Sequence, residues 1–163
     1  MHRRDATEAD LPAIVEIYNA TIPSRMVTAD TAPVSLESRI PWFQAHRPQT
    51  HPIWVMEEAG QVRGWLSFSA FHSRPAYWPT AELSIYVGVS SRRQGLGRRL
   101  LADAIAEAPA LRLRTLIGII WAHNEPSLKL FTAFGFERWG HLPRVALLDE
   151  TEADVVYLGR RVS

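Results

Sequence analysis

Ile85-Tyr86-Val87-Gly88-Val89-Ser90-Ser91-Arg92-Arg93-Gln94-Gly95-Leu96-Gly97-Arg98-Arg99-Leu100 is the stretch on which the fold turns. Ile85 and Val87 alternate with Tyr86 as in a strand, while Leu96, Leu100, Leu101, Ala104 and Ile105 keep helical spacing. A strand therefore runs through a glycine-bearing loop into the start of a helix. Peptide N–H groups at a helix start lack intrahelical acceptors and, together with the dipole, favour an anion. Gly95 and Gly97 remove side chains that would hold a phosphate away from the backbone. Arg92, Arg93, Arg98 and Arg99 crowd the same point, and no acidic residue stands between Glu82 and Asp103. A phosphorylated ligand is expected here, and a tight turn with a solvated arginine face is the alternative. The loop is not a nucleotide P-loop, since no Gly-x-x-x-x-Gly-Lys-Ser/Thr run occurs. It is not a dinucleotide fingerprint either: Leu100 takes the third glycine position and no βα unit leads into it.

Working outward, Thr80 to Val89 reads as the strand, with Leu83, Ile85 and Val87 on one face and Glu82, Ser84 and Tyr86 on the other. Gly88 suggests a bulge or a close backbone approach. Upstream, Thr7 and Asp10 form a capping-box pattern ahead of Leu11, Ile14, Val15 and Tyr18. A second helix is expected from Leu36 to His46, bent or split at Pro41. Ile53–Met56 and Val62–Ala70 read as strands joined at Glu58-Ala59-Gly60-Gln61. Downstream, Thr115–Trp121 is a buried strand, Asn124 caps a helix that ends near Gly135, and Phe136–Trp139, Arg144–Leu148 and Asp154–Gly159 are extended. The order α, α, β-β-β-α-β-α-β-β predicts an α/β (α+β) domain, residues 1–163, with a mixed sheet.

Composition narrows the function. With 47% hydrophobic and 21% charged residues the chain has the makings of a globular core rather than a disordered segment. Its net charge of +1 removes the bulk electrostatic case for a nucleic-acid or membrane-surface partner. The longest apolar run, Leu116 to Ala122, is far shorter than the ~20 residues of a membrane span. Arg3 and Arg4 are followed by Asp5, Glu8 and Asp10 instead of a signal-peptide apolar region, so a cytoplasmic location is expected. With no cysteine there is no thiol nucleophile, and the six histidines show no metal-ligand spacing, so no metal is expected.

A second landmark, Asn124-Glu125-Pro126-Ser127-Leu128-Lys129-Leu130-Phe131 leading to Phe134-Gly135-Phe136, completes a pattern. Together with Arg92-x-x-Gly95-x-Gly97 it resembles the GNAT N-acetyltransferases. Within them, Ile17-Tyr18-Asn19, Arg74-Pro75-Ala76-Tyr77 and Thr80-Ala81-Glu82-Leu83-Ser84-Ile85-Tyr86-Val87 are most similar to the phosphinothricin acetyltransferase group.

The resemblance implies the GNAT fold and direct transfer of an acetyl group from acetyl-coenzyme A to a small-molecule amine, in a homodimer. The amine belongs to an amino-acid analogue of the phosphinothricin, methionine sulfoximine or methionine sulfone type. Glu82 is the implied general base, because a protonated amine must lose a proton before it attacks. The N–H of Val87 is the implied donor to the attacked carbonyl. Tyr86, Val87 and Gly88 would pair with the pantetheine arm. Arg92, Arg93, Gln94, Gly95, Leu96, Gly97, Arg98 and Arg99 would hold the pyrophosphate, and Asn124, Ser127 and Phe131 would complete the cofactor side.

On the acceptor side the implied residues are Thr28, Arg74, Tyr77 and Glu82, with Arg74 as carboxylate partner and Arg25 in reserve. Trp78 and Trp121 are candidates to line the same pocket. Two departures stand out. Phe131 cannot donate a proton where many relatives carry Tyr or His, and Glu152 replaces a Trp two positions before Asp154. The competing readings are another acceptor (a protein N-terminus, a polyamine or an aminoglycoside) and a non-catalytic acyl-coenzyme A sensor.

Overall fold

The computed structural model describes residues 1–163. Its seven strands are β1 (His2–Asp5), β2 (Ile53–Glu58), β3 (Gln61–Ala70), β4 (Thr80–Val87), β5 (Thr115–Trp121), β6 (Glu137–Leu148) and β7 (Thr151–Arg161). Four helices accompany them: α1 (Leu11–Asn19), α2 (Leu36–Gln44), α3 (Leu96–Glu107) and α4 (Glu125–Ala133). The strands form one mixed sheet in the order β1-β2-β3-β4-β5-β7-β6, in which only the β4–β5 pair is parallel.

Because strand side chains alternate between faces, a strand covered on both sides is apolar throughout. β2 shows this: Ile53 and Val55 join the cluster under α1, while Trp54 and Met56 join the cluster under α3 and α4. In β4, Leu83 packs into the α3/α4 core with Ile85 and Val87 beside it, and Tyr86 faces the α1 side, as the alternation predicts. Glu82 and Ser84 share that second face. The β2–β3 connection is a two-residue turn at Ala59 and Gly60, both at positive φ (50° and 75°), which matches the twist of the flanking strands. No helix is long and apolar enough to cross a membrane.

Three elements differ from the sequence reading. β1 was not expected, because His2-Arg3-Arg4-Asp5 has no apolar residue to mark it. Side-chain contacts hold it instead: the Arg3 guanidinium lies 4.0 Å from the Trp54 ring, and Arg4 donates to Asp10 and Glu57 at 2.6 to 2.8 Å. The two extended pieces expected over residues 136–148 are a single strand, β6, whose register shifts at Arg138/Gly140 and Leu142/Ala146. Pro143, which has no ladder donor, falls in the second irregularity on this edge strand. Pro41 does not split α2, which runs unbroken through it.

Arg4 ties β1 to the start of α1, and its guanidinium holds the nearly buried Asp10 carboxylate below the usual range. Arg4→Met is expected to destabilise the protein by about 2 kcal/mol, since it leaves Asp10 without its partner. A depressed carboxylate stabilises the fold above the ordinary carboxylate range and loses that contribution as pH falls through its native value. The difference between wild type and variant is therefore full at neutral pH and shrinks in strong acid, which urea unfolding at both extremes checks.

Candidate active site

β4 and β5 run side by side for three pairs only: Thr80 with Thr115, Ala81 with Leu116 and Glu82 with Ile117. Beyond that point β4 stays with β3 as far as the Gly64–Val87 pair, and β5 stays with β7 as far as Trp121–Val155. Between them the sheet opens into a wedge. Backbone polarity alternates along a strand. The N–H of Gly88 donates to Arg63 on the β3 side at 2.8 Å, so the N–H groups of Ile85 and Val87 point the other way, into the wedge. On β5, Thr115 donates across to Pro79 at 3.2 Å, so Ile119 also directs its peptide groups inward, while the carbonyl of Trp121 accepts from the Asn124 N–H at 2.9 Å. Two rows of strand backbone thus face each other across a gap that an extended, amide-bearing ligand would fill. Gly88 makes the close approach suggested for it: a Cβ there would lie 3.1 Å from the Arg63 carbonyl oxygen.

Glu82 stands at the throat, in the last pair before the strands part. It lines a cavity of ≈ 300 Å³ with Thr28, Ser84, Tyr86, Ile119 and Trp121. No arginine or lysine is ion-paired with it, and burial alone raises its carboxyl above the ordinary range. Tyr86 stacks on Trp65 with ring centroids 4.6 Å apart, and burial, then Tyr18 and Glu82, push its hydroxyl up as well. Thr28 comes from the long loop after α1. Tyr18 holds that loop through hydrogen bonds to the Thr28 hydroxyl and to Asp30, and Trp121 Nε1 donates to the Thr28 carbonyl at 3.3 Å.

At the wide end of the wedge, Gly95 caps the start of α3, and its φ of +79° is left-handed. The first N–H with a backbone acceptor is that of Arg99, to Gly95 at 3.0 Å, so those of Leu96, Gly97 and Arg98 point outward. Arg93 also has a positive φ (61°), and Arg92, Arg93, Arg98 and Arg99 are exposed with no carboxylate partner. The loop is a cationic, donor-rich cradle. A Cβ on Gly95 would meet nothing within 4 Å, so only the backbone objects to a side chain there. Gly95→Ala is accordingly expected to cost about 1 kcal/mol by urea unfolding, without a packing defect.

A mixed sheet whose one parallel pair splays into a wedge, with a cationic helix start at its mouth, agrees with the comparison of this chain with known families. The model of the Acetyltransferase (GNAT) family matches residues 12–136. The chain belongs to this family. Among its relatives is the Bacillus subtilis (strain 168) protein YwnH, which provisionally carries the name phosphinothricin acetyltransferase and is 48% identical over 164 residues, 100% of both chains. The L-methionine sulfoximine/L-methionine sulfone acetyltransferase of Pseudomonas paraeruginosa is 36% identical over 143 residues, 87% of this chain and 83% of the relative. The phosphinothricin acetyltransferase from Sinorhizobium meliloti, solved in complex with acetyl-coenzyme A, superimposes with a TM-score of 0.91 at 30% identity, covering 98% of this chain and 87% of that one.

The GNAT wedge gathers some of the residues singled out in the sequence and leaves others apart. Glu82, Thr28, Tyr86 and Trp121 share one cavity. Val87 lies on β4 just inside the mouth. Asn124 is buried and caps α4, its Oδ1 accepting from the N–H of Ser127 at 3.3 Å. Phe131 is 5% exposed, packed edge-on to Phe136 and against Gly118 on β5, so its ring underlies the wedge wall within the core. Arg74 and Tyr77 are exposed on the loop before β4 and do not line the Glu82 cavity; Tyr77 packs on Phe71 and His72. Arg25 is engaged by Asp149 at 3.0 Å, and Trp78 lines a separate hollow with Arg112 and Arg114.

Sequence reasoning missed a second cavity, of ≈ 180 Å³, which shares Ser84 and Tyr86 with the first. Arg39, Trp42, Trp65 and Ser67 are among its walls. A signal was present in β3, where Ser67 and Ser69 interrupt an otherwise apolar run on the face opposite Leu66 and Phe68.

Proposed function

We propose that this GNAT protein transfers an acetyl group from acetyl-coenzyme A directly to the α-amino group of a small amino-acid analogue, of the phosphinothricin, methionine sulfoximine or methionine sulfone type. The observation that carries the reading is Glu82: a desolvated carboxylate with no cationic partner, at the throat of a wedge lined with strand backbone. Bound acetyl-coenzyme A supplies the activated thioester. The residues around it supply position and proton transfer.

The α3 start, from Arg92 to Arg99, binds the pyrophosphate, and the inward-facing backbone of Val87, with Ile85 before it, pairs with the pantetheine amides. Tyr86 and Gly88, whose backbone turns to β3, flank that row instead of pairing, with Asn124 and Ser127 on the far side. Glu82 accepts the ammonium proton, directly or through a water, and its raised basicity suits it to the task. The N–H of Val87 faces the developing negative charge of the carbonyl oxygen. Phe131 offers no proton, so the thiolate departs without help from that position. Arg74, free of any carboxylate partner on the exposed loop eight residues ahead of Glu82, lies outside the Glu82 cavity and would meet the acceptor carboxylate only by reaching in from that loop. Names of relatives support the acceptor class; the wedge supports the chemistry.

The protein is further proposed to be a homodimer, for which the apolar side chains exposed on edge strand β6 (Trp139, Val145 and Leu147) provide a surface. A single-chain mass in light scattering would end that part of the reading. For the reaction, coenzyme A release is measured with phosphinothricin, methionine sulfoximine, methionine sulfone, common amino acids, spermidine and an aminoglycoside. Turnover with the amino-acid analogues is the expected result. Turnover on polyamines or aminoglycosides alone would retain the family and discard the acceptor. Binding of acetyl-coenzyme A with no turnover on any amine would favour a sensor.

A further inference from the structure

The ≈ 180 Å³ cavity beside Glu82 has no role so far, and its composition is particular. On β3 and β4 the pairs Ser69–Glu82, Ser67–Ser84 and Trp65–Tyr86 lie in succession across the sheet. The face under α1 is therefore polar near the throat and aromatic beyond it. Ser67 is 1% exposed and lines the cavity, yet neither its hydroxyl nor that of Ser84 bonds to another protein group; the Ser69 hydroxyl is met by His46 at 3.3 Å. Ser67 is buried and Ser84 half-buried; their hydroxyls, on a small cavity between the rings of Trp42, Trp65, Tyr18 and Tyr86, suit a ligand group that accepts hydrogen bonds and also carries apolar surface.

The size and position of the cavity suit a side chain. It is smaller than the 300–1,000 Å³ typical of sites that swallow a whole drug-sized ligand. Ser84 follows Glu82 by two residues on the same strand face, about 7 Å along the strand. That is roughly the reach of a methionine-length side chain from its own α-amine. An acceptor whose amine lies at Glu82 would thus put its terminal group between Ser67, Ser84 and Trp42.

Charge then separates the candidates. Arg39 is the cation of this cavity, and Asp30 already pairs with it at 3.2 Å, while its guanidinium also lies 4.8 Å from the Tyr18 ring. With Glu82 nearby, no surplus positive charge remains to compensate a buried anion. A phosphinate is ionised at neutral pH and would be desolvated against four aromatic rings at a net cost. A sulfone or sulfoximine has the same tetrahedral shape and strong acceptor atoms, without the charge.

We infer that this cavity is the acceptor side-chain pocket, and that Ser67, Ser84 and the Arg39–Asp30 pair select an uncharged sulfonyl or sulfoximine end over an anionic phosphinate. The inference rests on the amino-acid acetyltransferase reading above. It is tested with full-length protein by kcat/KM for methionine sulfone, methionine sulfoximine and phosphinothricin, and by calorimetric binding of methionine sulfone in the presence of coenzyme A. Wild type is expected to favour the two sulfur compounds at least 10-fold. Ser67→Val, which fills the pocket, should raise KM for methionine sulfone 10-fold or more and leave acetyl-coenzyme A affinity unchanged. Asp30→Asn frees the Arg39 charge and should shift the preference toward phosphinothricin about 10-fold.

Equal or better use of phosphinothricin by wild type, or unchanged selectivity in both variants while turnover persists, would overturn the pocket and spare the reaction. Sulfone binding that is lost in Ser67→Val, in a protein that acetylates no amino acid, would keep the pocket and sink the reaction. Neither binding nor turnover would overturn both.

Discussion

Glu82→Gln lowers kcat for acetyl transfer roughly 100- to 10,000-fold, the usual span for loss of a positioned base, while acetyl-coenzyme A still binds. The glutamine keeps the shape and cannot take a proton. The same substitution is expected to leave thermal stability unchanged or raised, and the sign follows from linkage. Burial raises the native Glu82 carboxyl above its unfolded value. Its contribution to stability is then present below the ordinary carboxylate range and lost as pH rises through the raised value, so at neutral pH the ionised group weighs against folding. A purely structural carboxylate would show the reverse: modest loss of rate and loss of stability. The wild-type rate should rise with pH along a limb displaced upward from the ordinary carboxylate range, a limb absent from whatever activity the variant retains. Stopped-time thiol assays across pH, with calorimetry at neutral pH, give both readouts.

Gly118 produces the larger structural effect. A Cβ there would fall 2.7 and 2.9 Å from Cε1 and Cδ1 of Phe131. That ring is 5% exposed and backed edge-on by Phe136 at 4.9 Å, so it has nowhere to retreat. Gly118→Ala is expected to cost about 1–3 kcal/mol, the range for overpacking a filled core. In a chain of this length that lowers the unfolding midpoint by roughly 2–4 °C per kcal/mol. Since Gly118 is the first β5 residue past the last pair with β4, the same displacement moves a wall of the wedge and raises KM for acetyl-coenzyme A. Phe131→Leu relieves the clash, so the double variant should be more stable than the sum of the single losses by about 1 kcal/mol. Strict additivity in calorimetry would mean that the ring is not the obstacle.

Much of the wedge's framework was legible because it rests on local rules. Strand alternation placed Glu82, Ser84 and Tyr86 on one face, and the left-handed turn at Gly95 was signalled by a glycine at a helix start. Asn124 and Gly135 marked both ends of α4 through capping chemistry. β1 was not legible, because a four-residue polar edge strand carries no periodic signal and is held by Arg3 and Arg4 reaching other elements. Arg39 and Ser67 were missed for a related reason. On α2 an arginine reads as a solvated residue, and a serine on β3 as a neutral one; only the packing of α2 over the sheet makes them neighbours.

The sequence by itself determined the order of most elements, the cationic loop before α3 and the candidacy of Glu82, since each depends on residues within a turn or two along the chain. Where β4 and β5 part, which arginine lines the cavity next to that of the base, and how Asp30 cancels that arginine's charge were decided by the tertiary structure alone. Those properties arise from registers and contacts between residues far apart in the chain, and no local periodicity encodes them.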